Sequence, residues 1–397
     1  MVLFAGIAQV AAVTAVNVRT IPQRWVSSLV AVVGIAGVVL VVVAVLSIGA
    51  GFKQAMVSRS DPSTIVITRA SSTGEMDSVL SRDEMAVIAN APGIANDANG
   101  LLVSGELYVV VDVPRVSTGG SSNVPLRGVE AQGLAVRGNV EVIEGRLFRP
   151  GLNEVVVGKS AANQFAGLKV GDTHTWRQSE WVVTGIIDAD GGVPDSEIWA
   201  DTGAMQSAWG RSGFQVARVR LTDEQAFTTL SDTLSTDPRV NLTVERETDF
   251  YAERSQVLSV FVTTIGWFVG ALMGIGAMFG AVNTMYNAVA SRTREIATLR
   301  ALGFGAIPVT VSVLVESMLL ALVGGLLGGV AAWLVFNGFE VATINWQTFS
   351  QVSFTFAVTP PLLIGGTIYA LVLGLFGGIF PAIRAARMPL TVALREL

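Results

Sequence analysis

The sequence predicts a membrane protein: four transmembrane α-helices with a large α+β extracytoplasmic domain inserted between the first and second spans. Three observations carry this. Of 397 residues, 51% are hydrophobic and only 14% charged, well below the usual charged share. The apolar excess falls in four blocks, roughly residues 26–50, 257–290, 306–336 and 361–380; each is long enough for the ~20 residues of a spanning helix, and none holds Lys or Arg. Between the first two blocks lie roughly 200 residues of charged, mixed sequence with both strand and helix signals.

Taken in order, residues 1–25 read as a cytoplasmic interfacial helix. The segment is apolar but lacks the basic start of a signal peptide, and Arg19, Arg24 and Trp25 suit the headgroup region. Residues 26–50 form the first span, rich in Val, with Gly34 and Gly37 allowing close helix contact. Residues 51–255 form the extracytoplasmic domain. Val- and Ile-rich strands are expected at 64–69, 106–113, 154–158 and 180–187, with helices at 159–165 and 223–234. Another helix is expected from Ser81, where Ser81 and Glu84 make a capping box, to Asn90, before Pro92-Gly93. A Gly/Ser-rich loop at 117–123 suggests two lobes.

The second span, 256–290, is expected to begin as a helix near Phe250. About 40 residues at 1.5 Å each make a rod of ~60 Å, twice the hydrocarbon thickness, which would stand out as a stalk. Two helices with a bend near Ser255 are the alternative. Residues 291–305 form a cytoplasmic coupling segment, 306–336 the third span, 337–359 an outer loop, 360–381 the fourth span and 382–397 a cytoplasmic tail. The third span carries Glu316, an ionisable residue that should face a partner helix or a cavity, and it contains Gly324, Gly325, Gly328 and Gly329 at small-residue spacing.

Arginines set the expected orientation. Arg19 and Arg24 precede the first span, Arg292, Arg294 and Arg300 join the second to the third, and Arg384, Arg387 and Arg395 follow the fourth, whereas 337–359 has no Lys or Arg. The positive-inside rule then puts both termini in the cytoplasm. The inserted domain, with 18 basic and 27 acidic residues and so about nine negative charges, lies outside without contradiction, because large domains escape the rule.

Catalytic chemistry has little material in the chain. There is no cysteine, and His174 is the one histidine, which argues against thiolate or histidine metal sites and proton relays. His174 sits in a strand-like THTW context with no nucleophile elbow. Asp188, Asp190, Asp195 and Glu197 cluster around a Gly-Gly turn, but their spacing is not that of an EF-hand, and a solvated turn is the preferred reading. No G-x-x-x-x-G-K-[ST] sequence occurs, and Lys53, Lys159 and Lys169 lie outside any phosphate-cradling loop. No catalytic, cofactor-binding or metal site is therefore expected, and the slight negative charge gives no reason to expect nucleic acid.

The coupling segment joins charge to helical periodicity. Ile296, Leu299 and Leu302 recur at spacing three, Arg292, Glu295 and Arg300 fall elsewhere around the helix, and Gly303 and Gly305 end it. Such a helix along the membrane face can be gripped by a soluble partner; a charged turn that only fixes topology is the alternative.

These residues also carry a resemblance. RTREIATLRALG, VESMLLALVGGLLGG and PAIRAARMPLTVALREL look like the permease domain of MacB/FtsX-like ABC transporters. LSRDEMAVIANAPGI, VEVIEGRLFRPGLNEVVVGKSAANQFAGLKVGD and EWVVTGIID resemble that family's extracytoplasmic MacB-like core domain. The resemblance implies the permease subunit of an ABC transporter in a bacterial inner membrane, without a fused ATPase domain. An ABC ATPase subunit would bind ATP and magnesium, and a second permease copy or paralogue would complete a dimer. ATPase motion would pass through the coupling residues Arg292, Arg294, Glu295, Ile296, Leu299, Arg300 and Gly303 to the outer domain. Family members serve export or efflux with a periplasmic adaptor and outer-membrane channel, lipoprotein release, and control of cell-wall hydrolases. Membrane lipid is the remaining partner. A non-transporting signalling or scaffold protein regulating envelope enzymes stays open, as does a membrane enzyme with an unrecognised site.

Overall fold

The computed structural model describes residues 2–20, 25–57, 60–344 and 351–387. In chain order, α1 (Val2–Thr20) and α2 (Trp25–Val57) are followed by β1 (Thr64–Arg69), α3 (Arg82–Ala89), β2 (Asn96–Asp97), β3 (Gly100–Leu101), β4 (Val103–Pro114) and β5 (Ser121–Val129). Then come α4 (Gly133–Arg137), β6 (Glu141–Gly145), β7 (Glu154–Gly158), α5 (Lys159–Gln164), β8 (Thr173–Trp176) and β9 (Ser179–Asp188). The inserted stretch closes with β10 (Ile198–Asp201), α6 (Thr202–Trp209), β11 (Val216–Arg220), α7 (Ala226–Thr236) and β12 (Leu242–Arg246). It leads into α8 (Glu247–Ala290), α9 (Thr293–Ala301), α10 (Ala306–Phe336), the hairpin β13 (Glu340–Ile344) and β14 (Gln351–Thr355), and α11 (Pro360–Arg387).

Four of these helices are long and apolar enough to cross a membrane: Ser28–Val57, Glu247–Ala290, Ala306–Phe336 and Pro360–Arg387. The protein is thus a four-span membrane protein with its large mixed domain between the first and second spans. Two compact units result, one of Met1–Ala50, Val260–Phe339 and Phe356–Leu397, the other of Gly51–Ser259 and Glu340–Thr355.

In the membrane unit the small residues of α10 allow close approach on two sides. A Cβ on Gly328 would lie 2.4 Å from the Ala36 carbonyl oxygen of α2, and one on Gly374 of α11 would lie 2.4 Å from the Ala321 Cβ of α10. Without a hydrophobic drive between helices in lipid, such backbone proximity is what holds a bundle together. Polar groups reinforce it: Ser317 Oγ donates to the Gly374 carbonyl at 2.6 Å and Tyr369 Oη to the Gly270 carbonyl of α8 at 2.7 Å. The first helix is not isolated on the surface but packs along α10, with Val13 buried and Asn17 Nδ2 bonded to Ser312 Oγ. α8 is one continuous helix of 44 residues that runs on through Ser255, about 66 Å of helical rise.

The second unit is built on a ten-stranded sheet in the order β12-β1-β11-β4-β5-β10-β7-β9-β6, with β8 paired to β9. Most neighbours are antiparallel; β5 with β10 and β7 with β9 are parallel. Two larger apolar clusters line it, beside a smaller one that holds Val129, Val156 and Trp199. One gathers Ile65, Ile67, Leu80, Ile88, Val219 and Leu230 around β1, β11, α3 and α7. The other gathers Val113, Leu126, Val155, Trp181, Ile198 and Met205 around β5, β7, β9, β10 and α6. The lobes do not divide at 117–123: that stretch is the turn of the β4–β5 hairpin, and Ser121 already pairs with Pro114. The divide falls within β4, which pairs with β11 over Val103 to Glu106 and with β5 from Leu107 onward. A period-2 strand can serve two lobes in this way, and no composition shift marks the change.

The expected capping box is present, with Ser81 Oγ accepting from Glu84 N–H at 3.1 Å and Glu84 Oε2 accepting from Ser81 N–H at 2.8 Å. The loop at 337–359 carries more structure than its sequence announced. β13 and β14 belong to the second unit, where Ser353 N–H donates to Ser196 Oγ at 2.8 Å and Phe52 meets Phe354 edge-on at 5.6 Å.

Candidate functional site

The segment between α8 and α10 is a short helix with distinct faces. Ile296 and Ala297 of α9 are buried, at 7% and 2% exposure, in a cluster with Val32, Met285, Val289, Val309 and Val313. Arg294 and Glu295 are exposed, while Leu299 and Arg300 are half-buried. Leu302 does not continue the stripe of Ile296: it caps the helix outside the last turn and is 73% exposed. Spacing of three drifts around a helix of 3.6 residues per turn, and the helix stops before that residue. Its end is a Schellman motif, Phe304 N–H donating to the Leu299 carbonyl and Gly303 N–H to that of Arg300, both at 3.1 Å. Gly303 takes the left-handed position at φ +97°, where a side chain costs about 1–2 kcal/mol.

Arg292 corrects the expected set of partner-facing charges. Its side chain is only 7% exposed and turns inward, where Nη1 donates to Glu316 Oε2 of α10 at 3.1 Å. Nη2 donates to the Asn17 carbonyl of α1 at 3.3 Å and to Thr20 Oγ1. Glu316, itself 4% exposed, therefore has a guanidinium as its partner within the protein. One arginine ties α1, the start of α9 and α10 together. The Arg292 Nε lies 3.6 Å from the largely exposed Glu295 carboxylate, so the buried pair reaches the surface through one more charge. A cavity of ≈ 370 Å³, lined mainly by apolar groups between α1, α8, α9 and α10, lies under this helix. Elsewhere in this unit Arg384 of α11 lies over the Tyr286 ring of α8, 5.3 Å from the centroid.

A second polar centre escaped sequence reasoning. In the inserted domain Arg127 of β5 donates to Glu197 at 2.8 and 2.7 Å, to Glu75 at 3.2 and 2.8 Å and to Glu106 at 2.9 Å. Arg137 of α4 grips Glu106 at 2.7 and 2.9 Å, and Arg218 of β11 bonds Glu106, Glu75, Glu247 and the Tyr251 hydroxyl. All seven charged side chains are buried. Burial works against the Glu75 carboxylate, but Arg127 and Arg218 outweigh it and hold its pKa at about 2. Glu106 is likewise held below the usual range by its three arginines despite burial. The signal was present: Glu106, Arg127 and Arg218 are charges flanked by apolar or small residues at interior positions of their strands. The turn around Gly191 is also not simply solvated, since buried Asp195 accepts from Ala189 and Gly191 N–H at 2.6 and 2.7 Å while Glu197 belongs to this cluster.

The chain is thus a four-span bundle with a charged helix between its second and third members and a mixed-sheet domain inserted after the first. Residues 28–236 match the family model of the MacB-like periplasmic core domain, and residues 267–390 that of the FtsX-like permease C-terminal domain. The chain belongs to this MacB/FtsX-type family of ABC transporter permeases.

It is 26% identical over 227 residues to the uncharacterized ABC transporter permease YknZ of Bacillus subtilis, covering 54% of this chain and 52% of that one. It is 23% identical over 394 residues to the uncharacterized ABC transporter permease MJ1507 of Methanocaldococcus jannaschii, covering 93% and 94%. A macrolide export ATP-binding/permease protein MacB of Hahella chejuensis is 25% identical over 401 residues, 93% of this chain and 58% of that protein. The chain thus spans about half the length of YknZ and little more of the Hahella protein. Among solved structures, the periplasmic region of MacB from Actinobacillus actinomycetemcomitans aligns at 14% identity and a TM-score of 0.37, covering 48% of this chain and 92% of that one.

Proposed function

We propose that the protein is the inner-membrane permease subunit of an ABC transporter, transmitting the motion of a separate ATPase subunit to its outer domain and so driving export of a cargo. ATP and magnesium belong to that partner, a second permease copy or paralogue completes the assembly, and both termini face the cytoplasm. The observation that carries this reading is the two-sidedness of α9. Its inner face is packed on the spans and pinned through Arg292, while Arg294 and Glu295 stand on the exposed face, with Arg300 half-buried and Gly303 exposed at its end. A push on the exposed face would reach α8 and α10 through this packing and the Arg292 contacts, and α8 runs unbroken from Glu247 to Ala290.

Reversing one exposed charge tests this. Glu295→Arg is expected to weaken ATPase capture severalfold or to uncouple hydrolysis from export, with membrane insertion intact because added positive charge obeys the inside rule. Gly303→Val should act similarly by distorting the end of α9, at a cost of at least about 1–2 kcal/mol. If both variants, present at normal levels, capture the ATPase and function like the wild type, α9 is only a topological turn.

Orientation has its own test. The chain lacks cysteine, so a single Ser121→Cys change in the exposed β4–β5 turn gives a clean probe. It should react with an impermeant thiol reagent in intact spheroplasts. Reaction only after lysis would reverse the topology.

A further inference from the structure

The buried cluster of the outer domain is unbalanced by one charge. Arg127, Arg137 and Arg218 face Glu75, Glu106, Glu197 and Glu247, so three guanidinium groups meet four carboxylates away from water. An uncompensated buried charge is costly, and such a group takes up a proton instead. Six of the seven charges lie on the sheet, on α4 or in the loops beside them. Glu247 alone comes from α8, the helix that continues as the second span, and it is that helix's first residue. With Glu247 removed the remaining six charges balance. The first turn of α8 can therefore leave without stranding a charge, whereas withdrawal of any one arginine could not do so.

We propose that Glu247 and Tyr251 are positioning residues that hold α8 to the outer domain as a detachable member of this cluster, and that its release carries one proton from Glu247 to water. Attached, Glu247 keeps its proton to higher pH than a free carboxyl does, and it faces Arg218 of β11, Arg137 of α4, Glu106 of β4, the Asp61 N–H after α2 and, on its own helix, Tyr251. Burial pushes its carboxyl up, ahead of the opposing pull of Arg218 and Arg137. A cavity of ≈ 20 Å³ beside Glu247, Arg137, Glu197 and Tyr251 has room for a single water through which the proton can leave. The sign follows from the raised value in the attached state. Attachment is strongest below the ordinary glutamate pKa of about 4.3 and weakens as pH rises to the attached value, after which it is constant.

Amide hydrogen exchange in the full-length protein in nanodiscs, corrected for intrinsic exchange, reads this at residues 251–255 between pH 4.5 and 8. The wild-type opening constant is expected to rise up to tenfold per pH unit and then level off. Glu247→Gln, uncharged at every pH, should abolish the rise. Tyr251→Phe should keep it while raising opening severalfold, and it serves as the control should Glu247→Gln fail to fold. A flat wild-type profile, or the same rise in Glu247→Gln, overturns the proposal. Its importance for transport rests on the coupling reading above, but the exchange measurement involves no ATPase, so the two fail separately.

Discussion

Replacing Glu316 by leucine should lower the stability of the membrane unit by about 3–5 kcal/mol, because it leaves Arg292 buried without its counter-charge. The Asn17 carbonyl and Thr20 hydroxyl would still accept from Arg292, but neither carries charge. Glu316→Gln keeps an acceptor in place and should be clearly milder, and Arg292→Leu alone should resemble Glu316→Leu. The double leucine variant should recover most of the lost stability, since two apolar side chains can replace a buried pair at little cost. If the pair also fixes α9 on α10, that double variant will be stable yet poorly coupled to the ATPase. Thermal unfolding in detergent and stimulated ATP hydrolysis, measured side by side, separate the two effects. Wild-type melting of Glu316→Leu would show that the carboxylate is merely tolerated.

Arg127→Met should be more severe still. Arg127 makes five hydrogen bonds to three glutamates, and its loss leaves four carboxylates facing two guanidinium groups. Breaking a buried pair costs about 3–5 kcal/mol, a large part of the 5–15 kcal/mol that holds a typical domain together. The outer domain should fail to accumulate or become sensitive to protease while the spans remain inserted. Arg127→Lys should rescue poorly, because a single ammonium cannot span the two bidentate contacts. Adding Glu197→Gln to Arg127→Met removes one excess charge and should restore part of the stability. Normal protease resistance of Arg127→Met would mean that the cluster holds little of the fold.

The spans were legible because lipid enforces one rule: about twenty apolar residues with backbone groups paired inside a helix. The α3 boundary was legible because a capping box is local chemistry at fixed offsets. Pairing between distant segments was not. That Glu316 needs a partner follows from its surroundings, but that the partner is Arg292, 24 positions earlier, depends on how α9 folds back on α10. The same holds for the lobe boundary within β4 and for the Arg/Glu cluster, whose members are spread from Glu75 to Glu247. Several stand out as charges inside strands, but which of them meet is set only when the strands come together. Leu302 failed for the opposite reason, because its spacing fitted a helix that Gly303 had already brought to an end.

The hairpin of β13 and β14 bears on how the outer domain can be handled in isolation. Its fold draws on two distant stretches of chain, Gly51–Ser259 and Glu340–Thr355, so a fragment excised at the obvious boundaries would lack a strand pair. Such a fragment would uncover the Ser196 hydroxyl, the Gln164 amide and the Phe52 ring, all now met by Ser353 or Phe354. The bared Phe52 ring and the unmet Ser196 and Gln164 groups would favour non-native self-association. Grafting 340–355 onto the fragment through a short Gly/Ser linker would restore the missing surface and give a soluble piece closer to the native one.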